Sequence, residues 1–271
     1  MSTIGVKPAK FDLGQIRGFW DQQAQQHGTS HHASWSDGQV IGMEIEQIVD
    51  RLDAGDRVLD IGCANGFSTL ELAQRKSISI HGVDYVPEMI RQAQLRRQDL
   101  DQPLKNRVSF DVGDITQLDF PAASFDKTVV IRVVINLDSW DSQARGLREA
   151  ARTVRPGGLL LLSEATVQGH RKMNELRGEW GLPPIAEPEF NRYLDEEAVC
   201  EALAAEAELV ELVNFASTYF VGTRVIKPLL AQLLDREELI ADPSSHWNRW
   251  FANLPAAGDY GTQKLFVFRK R

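Results

Sequence analysis

The chain has 271 residues, 43% of them hydrophobic and 25% charged, with a formal net charge of −8. That length builds one large domain, or a domain with a cap, and the acidic balance argues against routine handling of nucleic-acid phosphates. No window approaches the ~20 apolar residues that span a bilayer, and a cysteine count of two, Cys63 and Cys200, suits a reducing cytoplasm better than a disulfide-stapled secreted fold.

In chain order, "IRGFWDQQAQQHG" predicts a helix and "TSHHASWSDG" a loop. The opening residues hold no long apolar run, so no secretion signal is expected. Apolar residues at helical spacing, Val40, Ile41, Ile45, Ile48, Val49 and Leu52, predict a helix over 40–52. Strands and helices then alternate. "RVLDI", "ISIHGVD", "VSFDVGD", "FDKTVVIRVV" and "LLLLSEA" read as strands. "FSTLELAQRK", "PEMIRQAQLRRQ" and "DSQARGLREAARTV" read as helices, the second with Pro87 in its first turn, where a missing N–H costs nothing. Continuous apolar strands between amphipathic helices predict a parallel sheet covered on both faces. Residues 168–194 read as an insertion, "DEEAVCEALAAEA" as a helix and "LVELVNFASTYF" as a strand. "VIKPLLAQLLDREELI" is helical, "DPSSHWNRWFANLP" is an aromatic-rich segment, and "QKLFVFRK" closes the chain as a strand. The organisation expected is a helical segment over the site (1–56), a core (57–167), an insertion (168–194), a core helix and strand (195–221), a cap or lid (222–262) and a last core strand (263–271).

The stretch "VLDIGCANGFSTLELA" is a strand, a small-residue turn and a helix. A dinucleotide fingerprint needs G-x-G-x-x-G; here Ala64 and Phe67 occupy the second and third glycine positions, and Asp60 would repel a diphosphate. No Gly-Lys-Ser/Thr follows, so a Walker loop is excluded. A cationic nucleoside fits better. Asp60 attracts positive charge, while Gly62 and Gly66 let the backbone turn sharply and approach a ligand. Asp84 ends the second strand, where it can accept from two ribose hydroxyls. Asp114 ends the third, where its carboxylate can meet an adenine amino group and the Ile115 N–H a ring nitrogen. Ligands of open α/β sheets bind at such strand ends.

On these residues, 57–164 resemble a class I S-adenosylmethionine-dependent methyltransferase. "VLDIGCANG", "GVDYVPEMIRQA", "GDI", "FDKTVVIRVV" and "VRPGGLLLLSE" are similar to five motifs of that family, in order, and "QKLFVFRK" to its antiparallel final strand. Ala64 departs from a common glycine. The resemblance implies a doubly wound, Rossmann-like, mostly parallel seven-stranded sheet with cap insertions. It implies S-adenosyl-L-methionine as cofactor, S-adenosyl-L-homocysteine as product and no metal. It places Tyr85 and Met89 beside the ribose and adenine, Ile131 and Arg132 near the methionine portion, Cys63 as a small buried neighbour, and Phe19, Trp20 or Trp35 over the ligand.

The acceptor expected is a small molecule, because the acidic balance disfavours nucleic acid and the fourth strand ends "IRVVINL" rather than in an Asn/Asp-Pro-Pro-aromatic motif. Transfer is expected by in-line displacement, to oxygen first, nitrogen second and carbon third. His31 and His32 are candidate bases, with solvated loop histidines as the plainer alternative. His170, Tyr193, His246, Trp247 and Trp250 are candidates for acceptor contact, against a role in the insertions' own small cores. Two rival functions stay open: a non-catalytic S-adenosylmethionine-binding regulator and a nucleotide-dependent oxidoreductase. A cytoplasmic protein without membrane attachment is expected, and homodimerisation is left open.

Overall fold

A computed structural model describes residues 10–271; the stretch read for a secretion signal lies largely outside the described residues. Helices α1 (Leu13–His27) and α2 (Gly38–Val49) precede the sheet. They are followed by β1 (Arg57–Ile61), α3 (Phe67–Arg75), β2 (Ser79–Asp84), α4 (Pro87–Gln98), the short α5 (Gln102–Lys105), β3 (Val108–Val112) and β4 (Phe125–Ile131). Then come α6 (Trp140–Thr153), β5 (Val154–Ala165), α7 (Val167–Glu179), α8 (Glu196–Leu203), β6 (Ala207–Val213), α9 (Ser217–Val221), α10 (Lys227–Leu233), α11 (His246–Ala252) and β7 (Gln263–Lys270).

The seven strands form one sheet in the order β3-β2-β1-β4-β5-β7-β6. β1 to β5 pair in parallel, and β7 runs antiparallel to both β5 and β6. Successive strand residues face opposite sides, and both sides are apolar. Val58, Val129, Leu161 and Val267 join α2, α3 and α4 in one core. Leu59, Val130, Leu160, Leu162, Phe266 and Phe268 join α6 and α8 in the other. A sheet buried on both faces leaves its strand ends as the place where polar side chains can gather.

Two helix starts set the frame of those ends. Asp12 caps α1 in a reciprocal box with Gln15, each side chain bonded to the other's backbone N–H. Asp37 caps α2 and also receives the Tyr219 hydroxyl at 2.8 Å and the Arg224 guanidinium at 2.8 Å, which ties the late cap to the early helix.

Two late segments differ from the sequence reading. The strand expected over "LVELVNFASTYF" stops at Val213, and Ser217–Val221 is helical. Phe215 and Ala216 are buried just before the helix, and Ser217, Tyr219 and Phe220 are buried within it. The insertion 168–194 opens with helix α7, capped by the Thr166 hydroxyl, before it becomes a loop. No helix among the described residues is long and apolar enough to cross a membrane.

Candidate functional site

One cavity of about 590 Å³ opens across the strand ends. β1, β2 and β3 supply acids to its first half. β4, β5 and β7, with α1, α7 and the loop before α8, wall its second half.

In the first half, Gly62 has φ of 71° and Gly66 φ of 76°. A Cβ on Gly62 would stand 2.1 Å from the Val133 side chain, and one on Gly66 2.8 Å from the Phe110 ring. Both conformation and space therefore require glycine. Ala64, at φ 48°, holds the left-handed geometry that explains why glycine is common there, and its strain is localised at the cavity wall. Asp84 fixes this turn: one carboxylate oxygen accepts from the Ala64 N–H at 3.0 Å, the other from the Val86 N–H at 2.9 Å. Four lone-pair directions less two leave one free on each oxygen, which fits a pair of vicinal hydroxyls. Asp60 accepts from the Thr69 hydroxyl at 2.5 Å. Burial, with the nearby Asp84 charge adding to it, pushes Asp60 up to about 7; burial pushes Asp84 up to about 6 against its two backbone donors. Asp114 binds the Thr116 N–H and hydroxyl through one oxygen only.

Of the residues expected at the cofactor, Asp60, Gly62, Cys63, Ala64, Asp84, Tyr85, Met89, Asp114, Ile115, Ile131, Arg132, Trp20 and Trp35 line this cavity; Gly66, behind the turn, and Phe19 do not. The turn is tied to the N-terminal segment by buried Asn65, whose amide donates to the carbonyls of Gly28 and Ser30 at 2.8 and 2.6 Å. The roof is aromatic. Phe19 stacks on Phe190 at 4.4 Å, and Trp20 meets Phe190 edge-on. These residues fit a flat base, a ribose and a cationic tail.

Behind the second half stand two acids that the sequence reading missed, Glu44 and Glu164, the first of them beside the expected Arg132. Arg132, at φ 54°, lies over the Trp35 ring at 4.6 Å and 3.3 Å from the carboxylate of Glu44. Glu44 is fully buried in α2, and burial raises its pKa against the opposing charge of Arg132. Its carboxylate also accepts from Ser163 and Gln263, and Gln263 reaches the cavity wall. Glu164, at the end of β5, accepts from the Val133 and Val134 N–H groups at 2.8 and 2.7 Å, with that of Ile135 at 3.5 Å, so one carboxylate holds the turn after β4. Burial pushes it up to about 8. Both acids were legible in principle. Glu44 interrupts the apolar face marked by Ile41, Ile45 and Ile48, and Glu164 ends a strand as Asp84 does.

The histidines and aromatics divide. His170 and Tyr193 line the cavity; His31, His32, His246, Trp247 and Trp250 do not. The His31 and His32 rings lie 4.3 Å apart, tilted by 33°, in the turn before α2, with the His31 ring 5.5 Å from that of Phe67. Burial lowers His31, with the neighbouring His32 and Arg96 charges acting in the same direction. Trp247 donates to the Gly222 carbonyl and packs with Trp250 and Phe251. Phe251 fills the space over Gly222, where a Cβ would be 2.2 Å from the ring. Phe251 and the half-buried Trp247 belong to the cap's own core, while Trp250 and His246 are exposed beside them. Among the described residues no cluster of metal-ligating side chains gathers.

Comparison with known proteins is consistent with this geometry. Residues 58–158 match the family described as a methyltransferase domain. The chain is 32% identical over 168 residues to the 27-O-demethylrifamycin SV methyltransferase of Amycolatopsis mediterranei, covering 59% of this chain and 60% of that protein. It spans 44–60% of the length of the first curated relatives it matches. The crystal structure of the [4+2]-cyclase SpnF is similar over 97% of this chain and 98% of its own, with a TM-score of 0.62 and 20% identity. A geranyl diphosphate C-methyltransferase from Streptomyces coelicolor A3(2), in complex with Mg2+, geranyl diphosphate and S-adenosyl-L-homocysteine, covers 98% of this chain and 100% of its own, with a TM-score of 0.60 and 15% identity. Those two likenesses concern the fold. Residues 58–158 thus carry a methyltransferase domain, set in a seven-stranded sheet whose strand ends open on an acid-lined groove, an architecture that supports a class I S-adenosylmethionine-dependent methyltransferase.

Proposed function

We propose that this protein transfers a methyl group from S-adenosylmethionine to a hydroxyl of a small, largely apolar acceptor of the natural-product kind. The observation that carries this reading is the continuity of the cavity. The same space that exposes Asp60, Asp84 and Asp114 continues to Val133, Leu137, Met173, Ile185 and Phe220, with a few polar groups among them. Apolar walls with sparse directional groups suit a metabolite, and the acids leave little attraction for a polyanion.

The cofactor supplies an activated methyl on a sulfonium sulfur. The chain's own residues bind and align. Asp84 takes the ribose hydroxyls, Asp114 and the Ile115 N–H address the base, and Asp60 lends negative potential towards the cationic tail. Trp20, Trp35 and the Phe19–Phe190 stack exclude water from above. Alignment of two bound partners is the main source of rate in such a displacement. Oxygen is preferred as the accepting atom because the relative from Amycolatopsis is named for a 27-O position.

The test pairs binding with turnover. Calorimetry should detect S-adenosylhomocysteine and not NAD. Methyl-labelled S-adenosylmethionine should label a hydroxylated member of a metabolite panel that includes 27-O-demethylrifamycin SV. Binding without label transfer to any member would favour the regulator. It would also favour a different reaction on the same fold, a live comparison because one neighbour of similar fold is a cyclase. NAD binding in place of S-adenosylhomocysteine would overturn the reading altogether.

A further inference from the structure

Of the six histidines, His170 alone lines the cavity. Its place is set by α7. Thr166 caps that helix, and Gly169 lies so close to the loop before β7 that a Cβ there would be 2.3 Å from the Gly261 carbonyl. This contact presses the first turn of α7 against Thr262 and Gln263, both of which also line the cavity. The imidazole turns its Nε2 to the Ile185 carbonyl at 2.8 Å and meets the Tyr193 ring edge-on at 5.1 Å.

The tautomer follows from the neighbours. Asn174 brackets Ile185: its side-chain oxygen accepts from the Ile185 N–H at 2.8 Å, and its amide nitrogen donates to the Ile185 carbonyl at 3.0 Å. That pairing fixes which end of the Asn174 amide is nitrogen. The Ile185 carbonyl can only accept, so its shorter 2.8 Å contact assigns the ring proton to Nε2, while the Asn174 nitrogen, 3.2 Å from Nε2, directs a proton to that same carbonyl. In the neutral ring Nδ1 then holds the lone pair. Among the described residues Nδ1 has no hydrogen-bond partner. A base oriented through its other ring nitrogen is the arrangement that general-base catalysis uses. Two further acceptors in the same cavity, the side-chain oxygens of Asn136 and Asn191, are buried without partners, which suits a ligand bringing its own O–H donors.

We propose that His170 is the general base of the reaction, its Nδ1 taking the proton of the acceptor hydroxyl. This deepens the O-methylation reading and rests on it. The O–H bond breaks towards Nδ1 as the oxygen's electron pair forms the new bond to the methyl carbon. The carbon–sulfur pair returns to sulfur, and the imidazolium later releases its proton to water.

The test has two arms. In the first, long-range nitrogen–proton NMR of the 15N-histidine-labelled protein, saturated with S-adenosylhomocysteine, reads the tautomer of His170, assigned by its loss in H170Q. A protonated Nε2 and bare Nδ1 are expected; a protonated Nδ1 overturns the proposal. In the second, H170A and H170Q are assayed on whichever panel acceptor the parent methylates. Both should lose about 10²- to 10⁴-fold in kcat while KM and the Kd for S-adenosylhomocysteine stay within threefold, and free imidazole should restore part of the H170A rate. H170Q separates base from scaffold, because its amide can still donate to the Ile185 carbonyl but is no base. Recovery of activity in H170Q, or a kcat loss below about fivefold, overturns the proposal. If the parent binds S-adenosylhomocysteine but methylates nothing, the O-methylation reading fails, and the tautomer arm still decides whether His170 presents a base.

Discussion

Asp84→Asn is the most informative perturbation of the cofactor groove. The native carboxylate spends one lone pair of each oxygen on the Ala64 and Val86 N–H groups, at 3.0 and 2.9 Å. Asparagine keeps the shape and one acceptor oxygen, but its amide nitrogen must face a backbone donor and a ribose hydroxyl at the other. One charge-assisted hydrogen bond to the ribose disappears and the other becomes neutral, a loss of about 2–3 kcal/mol. That corresponds to roughly 30- to 150-fold in Kd for S-adenosylhomocysteine. The pH dependence gives a second readout. Burial places Asp84 at about 6, and the bound form needs the carboxylate, so protons compete with the ligand below that value. In the parent protein, affinity should fall roughly tenfold from pH 7 to pH 5 through this group. Asp60, at about 7, acts in the same direction, so D84N should show a shallower fall rather than none. Calorimetric titrations at pH 5, 6, 7 and 8 measure both quantities. A folded D84N protein that binds within threefold of the parent, or a parent whose affinity is flat over that range, would refute the assignment of Asp84 to the ribose.

The unliganded protein should lose stability as pH rises. The folded-state pKa of Asp60 is raised from 3.8 to about 7, so the unfolded chain ionises first, and the advantage of the neutral folded form is lost as pH rises towards 7. Asp60→Asn should therefore reduce the fall in unfolding free energy between pH 5 and pH 8 by about 2–3 kcal/mol, read by urea denaturation; an unchanged fall would show that Asp60 is ionised throughout. Gly62→Ala forces a Cβ to 2.1 Å from Val133 at φ 71°, and should cost about 3 kcal/mol or more and abolish S-adenosylhomocysteine binding. G62A combined with V133A should recover only the steric share, and full recovery of melting temperature would contradict the conformational part. Phe190→Ala removes contacts with Phe19 and Trp20, worth about 1–3 kcal/mol together. It should speed amide exchange in α1 and the release of S-adenosylhomocysteine, and unchanged exchange there would contradict a roof held by these rings.

The half of the molecule built from strand, turn and helix was legible because each candidate site residue there sits at a position defined by local chemistry. Asp60 and Asp84 lie at strand ends and Gly62 and Gly66 at left-handed turn positions, and short-range rules locate all four. The sheet follows from the alternation of apolar strands and amphipathic helices over 57–165. The late segments obey no such rule. "NFASTYF" has aromatic and β-branched residues that suit a strand, yet Tyr219 and Phe220 find their burial in a helix, with Phe215 buried just before it, and only the packing of the cap decides between the two. The candidate residues His170 and His246 are a further example. Both follow a capped helix start in a polar segment, and nothing within ten residues of either says which will face the cavity. The distinction comes from Gly169 against Gly261, a contact between positions 92 residues apart by subtraction of their numbers.

The placement of buried charge explains why the two halves of the cavity must be built differently. The cofactor end carries acids that burial holds near neutrality, Asp84 at about 6 and Asp60 at about 7. On the proposed reading a bound cation repays their desolvation, so the groove is most favourable when filled. The acceptor end cannot rely on that exchange, because the ligand expected there is neutral. Its charges are paired within the protein instead: Arg132 with Glu44, and Arg224 with Asp37. Glu164 is held by backbone donors. Removing one partner of such a pair leaves the other buried and uncompensated, which costs more than the pair contributes. Substitutions at Glu44 or Asp37 are therefore expected to damage the shape of the acceptor chamber through Arg132 and Arg224, although neither acid lines the cavity itself. Preorganised pairs around a largely apolar chamber keep a small set of directional groups, the lone pair of His170 among them, fixed in space before any acceptor arrives.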